Sequence, residues 1–280
     1  MAMTAGPAIV APDRTGATMP EARWTDPIRQ TSLSEAEALD RLATARVVLL
    51  GETHDSAQDH AWQARVLDGL SERRPVIAGF EMFPRHARPA LDDWVESRLD
   101  LPGFLAAARW REVWGFDAAL YLPLFKLCRS RRIPMRGLNI DRPLVSLIGR
   151  AGWDALPEAE RGWLTPAVSA GTDYRRYLFE ATGGVRPGRT AQSPDDPAFD
   201  RFVRAQQAWD RAFACALAEA QAKRPETLAV GIIGRGHLEY RLGVPPQLEA
   251  LGLEPVLVAL PSAPEGSGPI ADLLPLASAA

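Results

Sequence analysis

Five short and continuous apolar runs constrain the fold of this 280-residue chain more than any other feature. In chain order they are RVVLL (46–50), PVIAGFEMF (75–83), IPMRGLNI (133–140), LAVGIIG (228–234) and PVLVAL (255–260). Runs that do not alternate with polar residues are typical of parallel strands covered on both faces. Because helical patterns separate the runs, we predict an α/β fold with a mainly parallel sheet and helices on both faces.

The helical patterns between the runs have recognisable beginnings. The segment 32–45, SLSEAEALDRLATA, opens with Ser32 and Glu35 at the spacing of a capping box, which predicts a helix start there. The segment 56–70 follows the first apolar run, and its alanines and Leu67 recur near helical spacing. A helix directly after a buried strand is the expected crossover to the next parallel strand.

Two connections are too long for a simple crossover helix. Residues 84–131 contain several short helical pieces, and residues 143–226 contain no convincing strand. We therefore predict a flexible tail at 1–30 and an α/β domain at 31–280, with a smaller helical lobe inserted at about 143–226. The lobe includes a long helix at 195–223, whose apolar stripe contains Gln206 and has Asp210 on its edge. These two polar residues either bond neighbouring elements or help to shape a site.

Composition excludes some classes of function. The net charge is −3 and no Lys/Arg run exceeds RSRR (129–132), so nucleic acid is not an expected partner. Cys128 and Cys215 are predicted to be buried apolar residues rather than a disulfide or a metal site. No apolar stretch approaches the ~20 residues of a membrane span, and the first 30 residues carry neither an apolar signal region nor a lipobox cysteine. We expect a soluble, cytoplasmic protein, with export left open.

Polar residues follow the first four apolar runs, at the points where the predicted strands end. They are Glu52 and His54, then Glu81, then Asn139 and Asp141, and finally His237 and Glu239. The carboxyl ends of parallel strands lie on one side of a sheet, where ligands bind. Two Gly-x-x-His motifs, 51–54 and 234–237, both follow buried runs directly. We therefore predict one crevice built from Glu52, His54, Glu81 and His237. Asn139 and Asp141 either line this crevice or serve in turns, since both residue types favour turns.

The predicted crevice is compatible with three kinds of chemistry. A mixture of His and Glu can bind a divalent metal such as Zn, Mn or Fe. It can also form an acid/base pair whose histidine is tuned by neighbouring carboxylates. The third alternative is a hydrogen-bonded polar cluster without turnover. No Gly-x-Ser-x-Gly, phosphate-loop or His-Glu-x-x-His motif is present, so nucleotide cofactors have no support.

An ordered set of motifs resembles the ChaN family of haem-binding, iron-regulated proteins, within the wider Tiki/TraB/erythromycin-esterase-like superfamily. The set comprises WTDP (24–27), VVLLGETHDS, WQARVLDGL, GFEMFPR, LDDWV, WGFDAALYLPLF, IPMRGLNIDR and AQQAWDRAFA. The resemblance covers about residues 22–260 and implies an α/β sheet domain with a smaller helical lobe. The superfamily's paired Gly-x-x-His motifs and glutamates fall on Glu52, His54, Glu81 and His237. In some branches this pattern accompanies metal-dependent peptide cleavage, and in others ester hydrolysis.

The same resemblance implies haem as the ligand, held by tyrosine in a homodimer, because a phenolate suits ferric haem. The chain has four tyrosines, at 121, 174, 177 and 240. Tyr174 and Tyr177 in the helical insertion are the expected ligands, and Arg175 and Arg176, with Arg186, are expected to pair with the propionates. The alternative is that these tyrosines are core residues.

Two hypotheses of function follow. The first is a haem- or iron-binding protein that acts in iron acquisition or haem handling. The second is a metal-dependent hydrolase of peptides or esters that uses Glu52, His54, Glu81 and His237. The chain departs from the family pattern at residues 59–60, where Asp-His stands in place of His-His.

Overall fold

The computed structural model of the protein describes residues 23–186 and 189–276. Its strands are, in chain order, β1 (Arg23–Asp26), β2 (Thr31–Ser34), β3 (Val47–Glu52), β4 (Val76–Pro84), β5 (Met135–Asn139), β6 (Val185–Arg186), β7 (Arg189–Thr190), β8 (Leu228–Gly234), β9 (Val256–Ala259) and β10 (Leu274–Pro275). The five predicted apolar runs correspond to β3, β4, β5, β8 and β9, so the main sheet is confirmed.

The helices alternate with these strands and are concentrated in the two long connections. They are, in chain order, α1 (Glu35–Ala43), α2 (Ala57–Ser71), α3 (Arg88–Val95), α4 (Leu101–Ala107), α5 (Trp110–Val113), α6 (Ala118–Arg131), α7 (Arg142–Ala151), α8 (Glu158–Arg161), α9 (Thr172–Thr182), α10 (Pro197–Lys223) and α11 (Val244–Glu249). Short 3₁₀ helices cover Arg85–Ala87, Trp153–Ala155, Arg235–His237 and Glu239–Arg241.

The main sheet is parallel, with the strand order β5-β4-β8-β3-β9. Each neighbouring pair in this order runs parallel, and β3, β4 and β8 are buried along their whole length. Helices cover both faces: one large apolar core lies under α1, α2, α3 and α6, and another under α7, α10 and α11. All five strands therefore present their carboxyl ends on one side, as the sequence predicts.

The segment before the main sheet folds differently from the expectation. β1 pairs with β2 and β10 in an antiparallel sheet, so the expected tail at 1–30 gives way to folded structure from Arg23 onward; residues 1–22 of that tail lie outside the described residues. Trp24 is fully buried and contacts Trp62 with 5.9 Å between ring centroids. The WTDP motif thus anchors the amino-terminal strand to the core.

The capping box predicted at Ser32 and Glu35 is wrong by two residues. The cap of α1 is Ser34, whose side chain accepts from the Glu37 N–H while the Glu37 carboxylate accepts from the Ser34 N–H. Ser32 instead pairs with Thr25 in the β1–β2 ladder. A Ser-x-x-Glu spacing occurs twice in succession here, and strand pairing, which the local pattern does not carry, selects the second.

The inserted lobe is mainly helical but contains the short β6–β7 hairpin, which the sequence does not predict. A small apolar cluster centred on Phe199 and Val203 of α10 holds α9 against it. Both cysteines are buried and free, in line with the expectation of apolar packing. In the part of the chain that the structure describes, no helix is long and apolar enough to cross a membrane.

Candidate functional site at the carboxyl ends of the strands

Glu52 and His54 are placed by the tight turn that joins β3 to α2. Glu52 is the last residue of β3 and is 1% exposed. The turn is held by Asp59, whose side chain accepts from the Thr53 N–H at 2.9 Å, while Ser56 caps α2 through the Asp59 N–H. His54 Nδ1 lies 2.5 Å from Glu52 Oε1. The GETHD segment therefore presents a carboxylate and an imidazole as one hydrogen-bonded unit.

Glu81 lies where the regular pairing of β4 ends. β4 pairs with β8 as far as Phe80, and its register with β5 shifts between Phe80 and Pro84. Asn139 Nδ2 donates to the carbonyl of Glu81 at 2.9 Å and so satisfies the backbone that the shift leaves unpaired. Asn139 consequently has a structural role at the site, and the Glu81 side chain turns into the crevice.

Gly234 allows the strand ends to approach each other closely. Its N–H donates to Glu81 Oε2 at 2.5 Å. A Cβ at this position would lie 2.6 Å from His54 Cε1, a distance that real contacts do not tolerate. The second Gly-x-x-His motif is thus explained by a steric requirement at its glycine.

His237 follows β8 in a 3₁₀ helix and is fixed by a residue of the inserted lobe. Its Nδ1 lies 2.6 Å from Oδ1 of Asp210, which is fully buried on α10. The other Asp210 oxygen accepts a hydrogen bond from the Tyr174 hydroxyl. His237 Nε2 lies 3.9 Å from Glu81 Oε1. Asp210, one of the two polar residues noted on the long helix, therefore orients a predicted site histidine.

A divalent metal fits the donor set with a small closing movement. One donor atom from each of Glu52, His54 and Glu81 lies within 4.8 Å of the others. Donors around a metal with bonds of ~2.1 Å lie roughly 3.4–4.2 Å apart, so the three groups are slightly more open than a closed site. Glu52 Oε2 is buried without a hydrogen bond, which leaves an oxygen available to a cation.

His60 belongs to this cluster, although its position in the sequence predicts only a place on the helix at 56–70. It is fully buried on α2, with Nε2 3.5 Å from Glu52 Oε2 and its ring 4.0 Å from that of Tyr121. The buried face of α2 includes His60, Gln63, Leu67 and Leu70. This i, i+3, i+7, i+10 spacing is the signal that places His60 under the site.

The protonation of the cluster is set by competition between burial and charge. Burial disfavours the charged form of Glu52, but the hydrogen bond with His54 and the nearby His60 imidazole outweigh it and lower the Glu52 pKa. Burial likewise opposes protonation of both site histidines. Glu52 and Glu81 raise the pKa of His54, while Asp210 and Glu81 raise the pKa of His237 to about 9. The carboxylates thus favour the protonated forms of both histidines.

The cluster opens into a cleft of about 690 Å³. His54 packs against Trp114 and Phe116, with ring centroids 4.8 and 5.1 Å apart, and Trp209 lines the wall beside His237. Asp141 and His86 lie on the rim and are both more than half exposed. An apolar, aromatic wall above a charged floor can hold an organic substrate over an acid/base or metal centre.

The tyrosines and arginines expected to hold haem are engaged in protein contacts. Tyr174 is buried and donates to Asp210, and burial together with that carboxylate raises its pKa well above 10. Tyr177 donates to Glu239 at 2.9 Å, and its pKa is raised by burial and by Glu239. Arg175 bonds Pro194 and Asp200. Neither phenol is presented as a free phenolate in this conformation.

Arg176 pairs with Asp173 at 3.1 Å on the exposed face of α9, which leaves its guanidinium at the surface. The side chain of Arg186, also expected near the propionates, lies outside the described residues.

Tyr240 differs from the other three tyrosines. The residue is 41% exposed, and no described residue bonds its hydroxyl. Its backbone has φ 56°, a left-handed conformation that is rare for a bulky residue and occurs often at functional positions. The ring lies 5.9 Å from that of Tyr177, edge to face. The sequence offered a weak signal for it, because Tyr240 stands three residues after the second Gly-x-x-His motif.

A family comparison decides where the chain belongs. The sequence model described as "Haem-binding uptake, Tiki superfamily, ChaN" matches residues 38–248. The chain belongs to the ChaN family. The matched range includes every strand-end residue described above as well as Tyr174, Tyr177 and Tyr240. A comparison with curated proteins gives no significant match.

Solved structures agree with this fold. A structure described as cofacial heme binding to ChaN of Campylobacter jejuni has a TM-score of 0.68 at 16% identity, over 92% of this chain and 97% of the other. The mutant erythromycin esterase EreC H289N has a TM-score of 0.50 at 13% identity, over 91% and 82%. At these identities the similarity establishes the fold and not the ligand. This ChaN-family chain therefore shares its architecture with a haem binder and with an esterase.

Proposed function

We propose that this protein binds haem through the phenol of Tyr240 and acts in haem handling or iron acquisition. The observation that carries the proposal is the exposure of Tyr240, whose hydroxyl is free of protein hydrogen bonds within the described residues. Membership in a family described by haem-binding uptake supports the ligand class.

An exposed phenol suits the ligation of ferric haem better than a buried one. Coordination requires the tyrosine to lose its proton, and iron(III) stabilises the phenolate. Tyr174 would have to release its hydrogen bond to buried Asp210 before it could ligate, which leaves a buried carboxylate oxygen unpaired. Tyr177 would have to release Glu239. Tyr240 has no such bond to break, so it takes the place of Tyr174 and Tyr177 as the proposed ligand.

The surface position of Tyr240 also favours a dimeric holoprotein. A haem on an exposed residue has one face against the protein and leaves the other face to solvent. Cofacial haem binding, as stated for the Campylobacter protein, would cover that second face with a haem carried by a second copy. We therefore expect hemin to convert this chain into a homodimer.

Titration of the purified protein with hemin tests the ligand assignment. The wild type is expected to give a saturable Soret change at one hemin per chain, and Tyr240→Phe to lose at least tenfold in affinity. The double variant Tyr174→Phe/Tyr177→Phe is expected to retain binding.

The controls separate the possible ligands. Loss of the Soret change in the double variant, with retention in Tyr240→Phe, would assign ligation to the helical lobe instead. Equal binding by all variants and by serum albumin would reduce the interaction to non-specific association and contradict the proposal. Light scattering with and without hemin tests the dimer.

A second function rests on the strand-end cluster, and it is compatible with the first. We propose that Glu52, His54 and Glu81 hold a divalent ion, with His237 beside it, and that the cleft supports peptide or ester hydrolysis. The donor atoms within 4.8 Å of one another carry this proposal. A bound metal would lower the pKa of a coordinated water and polarise a carbonyl. Without a metal, the neutral form of His54, oriented by Glu52, is the candidate general base.

Elemental analysis of protein purified without chelator tests whether the cluster holds a metal. Zinc titration and screening of ester and peptide substrates then test metal affinity and hydrolysis. His54→Ala is expected to remove both metal and turnover. His86→Ala is the matched control, because His86 is exposed on the cleft rim and outside the cluster. Absence of stoichiometric zinc, manganese or iron, together with no turnover that depends on His54, would eliminate this second function.

A further inference from the structure

A recess lined by arginines lies at the amino-terminal end of β5, the edge strand of the main sheet. Its volume is about 700 Å³, and the arginines that line it are Arg88, Arg129, Arg132, Arg136 and Arg224. Only two carboxylates, Asp92 and Glu96, share the lining. The recess has no lining residue in common with the His/Glu cleft at the carboxyl ends of the strands.

Part of this positive charge is already used by the fold. Arg129 stacks on Trp94, with 3.4 Å between its guanidinium carbon and the ring centroid, and donates to the carbonyls of Trp94 and Leu99. Arg88 and Arg136 share one acid, Asp92, at 3.3 and 3.1 Å. Glu96 pairs with Arg98. One carboxylate is therefore left to balance the arginines of the recess.

The remaining charge is unpaired. The side chains of Arg132 and Arg224 make no ion pair or hydrogen bond with the residues that the structure describes, and both project from positions that end a helix. Arg136 is 20% exposed on β5 and lines the recess together with Arg88 and Arg224. Burial and these two cations lower the Arg136 pKa, as expected where positive charges gather without enough anions.

We propose that this recess binds a linear polyphosphate group of two or more phosphates. Arginine forks match phosphate oxygens, and several cations around one concave site favour a compact and multiply charged anion. The described lining includes no aromatic side chain, so it offers no stacking surface for a base. The recess has a volume of about 700 Å³ and the net charge of the chain is −3. An extended nucleic acid is therefore a weaker candidate ligand than a compact polyphosphate.

Calorimetric titration with inorganic tripolyphosphate tests the proposal on the full chain. Saturable binding at one per chain is expected, and Arg132→Gln/Arg224→Gln is expected to weaken it at least tenfold. Both substituted side chains lack partners in the structure, so the variant should melt at the wild-type temperature. Arg23→Gln/Arg150→Gln removes the same charge from exposed positions elsewhere and is expected to bind as the wild type does. If the double variant does not fold, Arg224→Gln alone replaces it.

Further titrations identify the source of the phosphates. Binding of ATP more tightly than tripolyphosphate would assign a nucleoside triphosphate, and the reverse would assign a free chain. Sulfate matched in ionic strength should not compete. Equal weakening by both double variants, equal competition by sulfate, or tighter binding of duplex DNA or of phosphatidylserine vesicles would overturn the proposal.

Discussion

His237 of the strand-end cluster and Tyr240 are three residues apart in sequence but lie in opposite environments. His237 is 14% exposed and is fixed by buried carboxylates on two sides, whereas Tyr240 is 41% exposed and its hydroxyl has no partner among the described residues. The contrast teaches that one motif region contains two different environments. The buried part places an imidazole between carboxylates, and the exposed part presents a phenol to solvent.

This comparison predicts that variants of the cluster cost stability while variants of Tyr240 cost hemin affinity. The largest effect on stability is expected for His237→Gln, measured with chelator present. Removing the imidazolium leaves Asp210 as a buried carboxylate without its counter-charge, which costs roughly 3–5 kcal/mol in comparable ion pairs. Chemical denaturation at pH 6.5 measures the loss.

The pH dependence of the same variant sharpens the test. The His237 pKa is about 9 in the folded protein and about 6.5 when unfolded, so its contribution is complete below pH 6.5 and is lost as the pH rises through 9. The wild type should lose stability across this window more steeply than His237→Gln. Exposed His86→Gln should follow the wild type. Parallel curves for all three proteins would show that His237 is not charged in the fold.

A smaller effect is expected for Gly234→Ala. The added Cβ would meet His54 at 2.6 Å and force the imidazole away from Glu81, at a cost of about 1–3 kcal/mol for overpacking. Zinc affinity should fall at least tenfold while hemin titration is unchanged. Gly171→Ala is the control, because its Cβ would meet nothing within 4 Å. Unchanged zinc binding in Gly234→Ala would break the link between this glycine and the cluster.

The smallest effect is expected for Tyr174→Phe, which probes a residue that connects the helical lobe to the cluster. Its side chain comes from the helical lobe, but its hydroxyl satisfies Asp210 of the cluster. Loss of that donor should cost about 1–2 kcal/mol of stability and leave hemin affinity unchanged. Tyr177→Phe, which is less buried, should cost less. Loss of hemin binding in Tyr174→Phe without loss of stability would reverse the assignment.

The main sheet could be predicted because its information is local. Continuous apolar runs such as LAVGIIG identify buried parallel strands, and the parallel arrangement alone brings Glu52, His54 and Glu81 to one side of the sheet. The glycines of the two Gly-x-x-His motifs also carry a local signal. Convergence of the strand ends therefore follows from the alternation of strands and helices before any contact is known.

The contacts that could not be predicted join residues that are distant in sequence. Asp210 lies on the edge of an apolar stripe, and nothing local reveals that His237 will stand against it. The sequence around His60 predicts only an amphipathic helix. The contact between His60 and Glu52 arises because α2 packs on β3. The exposure of each tyrosine could not be predicted either, because exposure is set by tertiary packing. The Tyr174 side chain lies in the core although its helix lies on the surface.

The central claim is that Tyr240 supplies the iron ligand for haem. Resonance Raman spectra of the ferric hemin complex, excited in the phenolate-to-iron charge-transfer band, test it most directly. Ligation by Tyr240 predicts enhanced tyrosinate modes in the wild type and in Tyr174→Phe/Tyr177→Phe, and their absence in Tyr240→Phe. Persistence of those modes in Tyr240→Phe, or their absence from the wild-type complex, would contradict it.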